Sequence, residues 1–268
     1  MDESPVVQSG GIIREYLFPR RHSAVLVALV TLFAVRPLLG ASGGGGGAVI
    51  FSLAILVLML VSLYTIQVDE LVGERQTLVA QRKKRSMIGW ALAVPATVDR
   101  VLIMFEPSRM VILAGAICWL LLFAFITLSE LRSLLKQKDV TGETISMSIS
   151  VYLLIGLTWG LLYIVLNHLQ QQAFSFGSST APGPLGEQQL FPILIYFSLT
   201  TLATIGYGDI TPVTLQARYA AVAEGIAGQF YLAILVARLV GLYMSRSVNS
   251  DAGNQDRGSG AKSLRNQP

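Results

Sequence analysis

Residues 204–209 read TIGYGD and form a polar segment in an otherwise apolar carboxyl-terminal half. Glycine alternates with other residues here, and it reaches backbone conformations that other residues rarely adopt. Successive backbone carbonyls can therefore all point toward one axis. Together with the Thr204 hydroxyl, they would form stacked rings of neutral oxygen atoms that replace the water around a dehydrated cation.

The rest of the chain has the composition of a membrane protein. Of its 268 residues, 53% are hydrophobic and 13% are charged, so it is far more apolar than a soluble domain. Six stretches approach the roughly 20 apolar residues that a spanning helix needs, and a shorter run, 190–203, leads into the glycine-containing segment. The six are residues 23–39, 48–68, 87–105, 110–129, 144–166 and 212–243.

The Lys and Arg residues predict how these spans are oriented. If both termini are cytoplasmic, most basic residues fall on the inner side, including the run 82–85, while the outer loop 167–189 contains none. Cytoplasmic loops are enriched in Lys and Arg, so we expect a multi-pass protein of the plasma membrane with both termini inside. The net charge of +4 then reflects orientation, and no nucleic-acid partner is expected.

The start of the chain also has an alternative interpretation. A basic leader, the apolar run 24–35 and the small residues 40–42 imitate a cleaved secretory signal peptide. Cleavage would leave five spans and place the basic run 82–85 outside unless the remaining topology flipped. The six-span arrangement is therefore the preferred prediction.

The pattern of spans and polar segments predicts five regions. The tail is expected to be disordered because it is rich in Ser, Asn, Gly and charge. The regions are a cytoplasmic amino terminus (1–22), a four-helix peripheral membrane block (23–129), a cytoplasmic linker (130–143), a pore module (144–245) and a disordered cytoplasmic tail (246–268).

Residues 196–212, YFSLTTLATIGYGDITP, closely resemble the pore signature of tetrameric potassium channels, and the following helix resembles their inner helix. The resemblance extends over residues 144–243. It implies an all-α integral membrane protein with six transmembrane helices, a re-entrant pore helix and a selectivity filter in each subunit. Because one filter per chain cannot encircle an ion, it also implies a homotetramer in the lipid bilayer.

The resemblance assigns roles to the residues of the signature. It implies that K⁺ is bound by the backbone carbonyls of Thr204, Ile205, Gly206 and Tyr207, with Gly208 completing the filter. Family members often have Val where Ile205 stands, and both side chains are β-branched. Residues expected to support the filter or line its outer mouth are Tyr196, Phe197, Thr200, Thr201 and Asp209.

The resemblance also implies particular contacts around the filter. Tyr196 and Phe197 occupy the positions of the family's aromatic cuff, and Tyr207 is expected to form a hydrogen bond sideways to the pore helix. Asp209 often pairs with an acid of the pore helix in this family. Thr200 occupies that position here, which puts the rigidity of the filter in doubt.

The last span contains two glycines that could form a hinge. Gly228 matches the family's gating glycine by its spacing from the filter, and Gly225 lies one turn before it. A glycine at this point lets a helix bend. Close packing of small residues between helices is an equally open explanation.

Glu224 is the most unusual residue of the last span, because acids inside membrane spans are rare and mark functional sites. We expect it to brace the pore helix through Thr200 or Thr201, and an alternative is that it lines the conduction path. Arg238 is expected to snorkel at the inner mouth.

The sequence argues against two other activities. Residues 110–129 occupy the place of a voltage-sensor helix but contain no Lys or Arg, so strong voltage gating is not expected. No metal-ligand spacing, nucleophile motif or phosphate loop is present, so we expect neither an enzyme nor a cofactor. His168, near the outer mouth, is predicted to be a solvated loop histidine.

Two classes of function remain open at this stage. The preferred one is a potassium channel that passes dehydrated K⁺ down its electrochemical gradient. The alternative is a non-conducting scaffold or sensory subunit with a filter-like fold, or a K⁺-transporter subunit. Transporters of related design use four degenerate pore units with single glycines, whereas this chain contains one intact TIGYG.

Overall fold

The computed structural model of the protein describes residues 21–39, 53–65, 87–99, 108–137, 140–170, 172–177 and 187–265. Helices dominate these residues, as expected for an all-α membrane protein. The elements in chain order are α1 (Arg21–Leu39), α2 (Leu53–Thr65), α3 (Met87–Asp99), α4 (Arg109–Lys136), α5 (Gly142–Leu169), β1 (Phe174–Phe176), α6 (Glu187–Leu202), β2 (Ile210–Pro212) and α7 (Leu215–Arg265).

Three of the described helices are long and apolar enough to cross a membrane. They are α4, α5 and the Leu215–Gly241 part of α7. A helix satisfies every backbone polar group within itself, which hydrocarbon requires. The other described helices are apolar but shorter. Each of the six predicted spans overlaps a described helix, and the count of six spans stays a prediction.

Two threonines lie at the start of the carboxyl-terminal part of the described chain, residues 141–265, which is called the pore half here after its predicted role. Thr141 is the N-cap of α5, and its hydroxyl accepts a hydrogen bond from the Thr144 backbone amide at 3.3 Å. The Thr144 hydroxyl in turn accepts from the Thr141 amide at 3.4 Å. This reciprocal capping satisfies amides that the first helical turn leaves unpaired.

The preceding helix, α4, continues beyond residue 129 to Lys136, so it occupies half of the predicted linker.

Helix α5 is the centre of the packing. It contacts α1 and α4 from the peripheral part of the chain, and α6 and α7 from the pore part. Its buried residues Leu154 and Leu157 belong to the same apolar core as Leu122 of α4 and Leu194 of α6. The peripheral helices and the short helix α6 therefore share one core through α5.

Two short strands, which the sequence analysis did not predict, join the end of α5 to the end of the glycine-containing segment. β1 follows α5, β2 follows the glycine-containing segment, and they pair antiparallel with Ser175 opposite Thr211. Further backbone bonds run from Gly177 N to Asp209 O at 2.8 Å and from Val213 N to Ala173 O at 2.8 Å. The exit of the glycine-containing segment is thus attached to the end of α5.

The last helix is longer than the sequence analysis predicted. α7 continues to Arg265, through most of the region 246–268 that its composition predicted to be disordered. Extending an existing helix gains one hydrogen bond for each residue fixed, whereas starting a new one is costly. A prediction from composition alone does not include this extension of an existing helix beyond the end of its apolar span. The predicted amino-terminal region, 1–22, lies outside the described residues except for its last two.

Arg238 of α7 caps the carboxyl end of α4. Its guanidinium donates hydrogen bonds to the carbonyls of Leu134 at 2.5 Å, Leu135 at 2.8 Å and Gln137 at 2.5 Å. The last carbonyls of a helix have no partner within the helix and carry partial negative charge, so a cation there is stabilising. The side chain that was expected to snorkel at the inner mouth instead joins α7 to the carboxyl end of α4.

Replacing Arg238 tests this cap. We expect Arg238→Met to lower the free energy of unfolding by about 1.5–3 kcal/mol, the usual worth of hydrogen bonds from a charged group. Arg132→Met is the matched control, because Arg132 is exposed on α4, and it should change stability by less than about 0.5 kcal/mol. Thermal unfolding in detergent measures both, and equal melting temperatures for the two variants would contradict the cap.

Candidate functional site

The glycine-containing segment begins directly after α6 and has alternating backbone conformations. φ is positive at Thr204 (57°), Gly206 (55°) and Gly208 (80°), and Ile205 and Tyr207 between them are not among the described residues with positive φ. Alternating the sign of φ turns successive peptide groups so that their carbonyls can face one side of the chain. This is the backbone geometry that stacked carbonyl rings require.

Backbone hydrogen bonds attach the start of this segment to the last turn of α6. The Thr204 amide donates to Thr201 O at 3.0 Å, and the amides of Ile205 and Gly206 donate to Thr200 O at 2.8 and 3.2 Å. A β-branched residue such as Thr204 at positive φ is strained by about 1–3 kcal/mol. These bonds hold it there, so Thr200 and Thr201 support the segment with their backbone carbonyls.

The segment is uncovered in the single chain. Ile205 is 54% exposed and Tyr207 is 69% exposed. A row of large apolar side chains on α7 is exposed as well, with the three- and four-residue spacing of one helix face. These residues are Tyr219, Val222, Ile226 and Phe230. A helix face of this kind points to a covering partner or to lipid.

The aromatic residues of the signature separate into two groups. The Tyr196 ring stacks parallel to the Tyr207 ring, with centroids 6.4 Å apart, and its hydroxyl interacts with the Asp209 carboxylate. Phe197 is 7% exposed and packs edge-on against Tyr163 and Phe174. Only Tyr196 therefore lies beside the segment within the chain, because successive helix residues point about 100° apart.

The contact of Tyr207 with α6 takes a different form from the hydrogen bond that the resemblance implies. Tyr207 contacts α6 by ring stacking on Tyr196. The Thr200 hydroxyl donates to Phe197 O within its own helix at 2.9 Å. In the described structure Tyr196 supplies the α6 partner of Asp209.

Glu224 contacts α6, the helix predicted to be the pore helix, but through a different residue than expected. It is fully buried, and its carboxyl group contacts the Ser198 hydroxyl of α6 and, at 2.5 Å, the Tyr163 hydroxyl of α5. The predicted partners Thr200 and Thr201 were wrong. Ser198 lies one turn before Thr201 on the same helix face, and the axial offset between two helices cannot be read from either sequence segment.

Gly228 is a site of close approach between α7 and the end of α6. A Cβ atom at this position would lie 2.6 Å from the carbonyl oxygen of Leu202, whereas one at Gly225 would lie 4.0 Å from that of Thr201. The helix is continuous through both glycines. The structure thus supports the packing explanation for Gly228, and the hinge stays a prediction.

Sequence reasoning missed two further glycines that position α6. A Cβ at Gly156 would lie 2.7 Å from Leu199 Cδ2, and one at Gly160 would lie 2.8 Å from Ile195 Cγ1. Their spacing, Gly156-Leu157-Thr158-Trp159-Gly160, is the pattern that lets membrane helices approach closely. That spacing was the available signal. No comparable sequence pattern singles out Ser198 or Tyr163, whose contact with Glu224 depends on how the helices pack.

His168 is not a solvated loop residue. It lies in the last turn of α5 and is buried, with Nδ1 2.8 Å from Ile164 O. Its backbone carbonyl accepts a hydrogen bond from the Arg109 guanidinium at 2.8 Å. The histidine therefore belongs to the contact between α5 and the start of α4.

Comparison with known proteins agrees with this geometry. Residues 151–245 match the family model described as ion channel, which includes most of α5, all of α6 and the transmembrane part of α7. A stretch of 84 residues is 32% identical to Protein LctB of Geobacillus stearothermophilus, covering 31% of this chain and 60% of that protein. Residues 151–245 therefore resemble an ion-channel domain, and the long apolar helices among the described residues agree with a membrane protein.

Paired substitutions test the close approach at Gly228. Gly228→Ala places a methyl group against the Leu202 backbone, so we expect it to lower the free energy of unfolding by about 1–3 kcal/mol. Gly225→Ala has room and gains helix propensity, so its stability should be unchanged or up to about 1 kcal/mol higher. Thermal unfolding of both purified variants provides the measurement. A Gly228→Ala protein as stable as Gly225→Ala would leave only the hinge explanation.

Proposed function

We propose that the protein is a potassium-selective channel subunit that passes dehydrated K⁺ down its electrochemical gradient. The observation that carries the proposal is the alternation of φ along Thr204–Gly208 at the end of α6, within the part of the chain that matches ion channels. The segment combines the TIGYG spelling with the backbone form that such a filter needs.

The chemistry of the site follows from its oxygen atoms. The carbonyls of Thr204, Ile205, Gly206 and Tyr207, with the Thr204 hydroxyl, replace the water of the ion. Neutral oxygens bind the ion firmly enough to admit it and weakly enough to release it. The partial negative charge at the carboxyl end of α6 favours a cation at the entrance from the inner side.

We propose a homotetramer as the conducting form. One segment cannot surround an ion, and the exposed segment and the exposed apolar face of α7 provide surfaces that neighbouring subunits would cover. The assembly would lie in the plasma membrane with both termini of each chain in the cytoplasm. Its partners are lipid and K⁺, and it needs no cofactor and catalyses no reaction.

A flux assay with two glycine variants tests the filter. The space around both Gly206 and Gly241 is open, but only Gly206 has a positive φ, +55°. Gly206→Ala should reduce barium-sensitive K⁺ flux into liposomes by about fivefold or more, because left-handed backbone costs an L-residue about 1–2 kcal/mol. Gly241→Ala should retain flux. Absence of flux from pure wild-type tetramers would favour the scaffold or sensory alternative.

We expect conduction without steep voltage activation. Between Arg109 and Arg132, α4 contains no Lys or Arg, and each charge that moves across the membrane contributes about 2.3 kcal/mol per 100 mV. Currents recorded in planar bilayers should therefore change only gradually with voltage. Several gating charges per subunit, measured from the limiting slope of activation, would contradict this expectation.

A further inference from the structure

The carboxyl group of Glu224 lies where three helices of the pore half meet. Its Oε2 is 2.5 Å from the Tyr163 hydroxyl of α5, and its Oε1 contacts the Ser198 hydroxyl of α6. The side chain is 0% exposed. Among the described residues, no Lys, Arg or His forms an ion pair with it. Both carboxyl oxygens are thus occupied by neutral hydroxyl groups.

If Glu224 is ionised, the Ser198 hydroxyl faces two acceptors but has only one proton to donate. Its hydroxyl oxygen also lies 2.6 Å from the Gly156 carbonyl oxygen. A hydroxyl has one proton to donate, and neither a carbonyl nor an ionised carboxylate can donate any. With Glu224 ionised, one of the two contacts at Ser198 would join two oxygens without a proton between them. Such a contact at hydrogen-bond distance is repulsive.

One additional proton removes this conflict. We propose that Glu224 is protonated on Oε1 at neutral pH and acts as a positioning residue for the pore helix. Oε1–H donates to Ser198 Oγ, Ser198 Oγ–H donates to Gly156 O, and Tyr163 O–H donates to Oε2. Three protons then satisfy three contacts, and no ionised carboxylate is buried without a counter-charge.

None of the described groups that face Glu224 carries a positive charge that could take the place of this proton. Helix α5 presents two tyrosines, Tyr163 and, through an electrostatic interaction, Tyr152. Helix α6 presents Ser198, and β1 contributes the apolar ring of Phe174 against Tyr163. No positive charge comes from α7, where Arg218 donates to Pro212 O. Within the described part of the chain, an ionised Glu224 would thus have hydroxyl groups and no cation as its partners.

The position of Ser198 connects this proton to the filter. It lies on α6 shortly before Thr200 and Thr201, whose carbonyls hold the first amides of the filter. The chain of hydrogen bonds from Glu224 through Ser198 to Gly156 joins α6 to both α7 and α5. For its effect on conduction, the inference rests on the proposed channel function. The protonation itself does not.

Infrared spectroscopy tests the protonation without any flux measurement. The wild-type protein in lipid at neutral pH should show a carboxylic-acid C=O stretching band that shifts in heavy water and is absent from Glu224→Gln. Glu130→Gln, which changes another buried glutamate, on α4, serves as the reference spectrum. If Glu224→Gln instead removes intensity only from the carboxylate bands, Glu224 is ionised and the proposal is wrong.

Two variants test the positioning role. Glu224→Gln offers an NH₂ donor to Ser198 and a carbonyl acceptor to Tyr163, so it should keep the wild-type melting temperature and K⁺ flux within about threefold. Glu224→Leu leaves the Tyr163 hydroxyl without its acceptor and removes the link from Ser198 to α7, although Ser198 still donates to Gly156 O, and we expect about a tenfold loss of flux. Equal losses in Glu224→Gln and Glu224→Leu would show that an ionised carboxylate is required.

The pH profile separates this role from simple packing. Raising the pH removes the proton from Oε1 of the folded protein, so wild-type K⁺ flux should fall at alkaline pH. Thermal stability should fall already as the pH rises above the ordinary titration range of a carboxyl group, because the unfolded chain releases that proton first. Glu224→Gln should lack both falls. Glu130→Gln should keep the wild-type profile. An unchanged profile in Glu224→Gln would overturn the proposal. If wild-type protein shows no K⁺ flux, the channel function fails, while the infrared band and the stability profile still decide the protonation.

Discussion

The structure depends on how the irregular segment after α6 is held in place. Non-helical backbone at membrane depth needs hydrogen-bond partners, because no water is available in hydrocarbon. In the single chain, the first amides of this segment donate to the carbonyls of Thr200 and Thr201. The segment is therefore only as well positioned as the last turn of α6, and the contacts of α6 decide the geometry of the site.

Three kinds of contact hold α6. Glycines on both neighbouring helices, Gly160 of α5 and Gly228 of α7, allow close approach to its side chains and backbone. The ring of Phe197 packs in an aromatic cluster behind it. Ser198 provides the polar junction with Glu224. Shape and polar pairing thus act together on one short helix, and the strand pair β1–β2 secures the chain on the far side of the segment.

The contacts of the described part of the chain also relate the peripheral helices to the pore half. α4 packs on α5, and its carboxyl end is capped by Arg238 of α7. The Thr127 hydroxyl of α4 meets the Thr158 hydroxyl of α5 at 2.9 Å. A charge-poor helix can thus affect the part of α7 around Arg238 through packing and helix capping, with no need to move charges of its own across the membrane.

Much of the site was predictable from the sequence, for identifiable reasons. The spelling of residues 204–208 places glycines where positive φ is needed, and this is a local property of the chain. Apolar length predicted each described helix, and the match of residues 151–245 to an ion-channel family model agrees with the predicted role of this part of the chain. The tertiary structure decided which side chains meet. The rotation of α6 directed Phe197 into the core, and its axial offset against α7 gave Glu224 the partner Ser198 in place of Thr200 or Thr201. These contacts depend on how far two helices slide and turn against each other, which is set by packing over their whole length and not by any local pattern of residues.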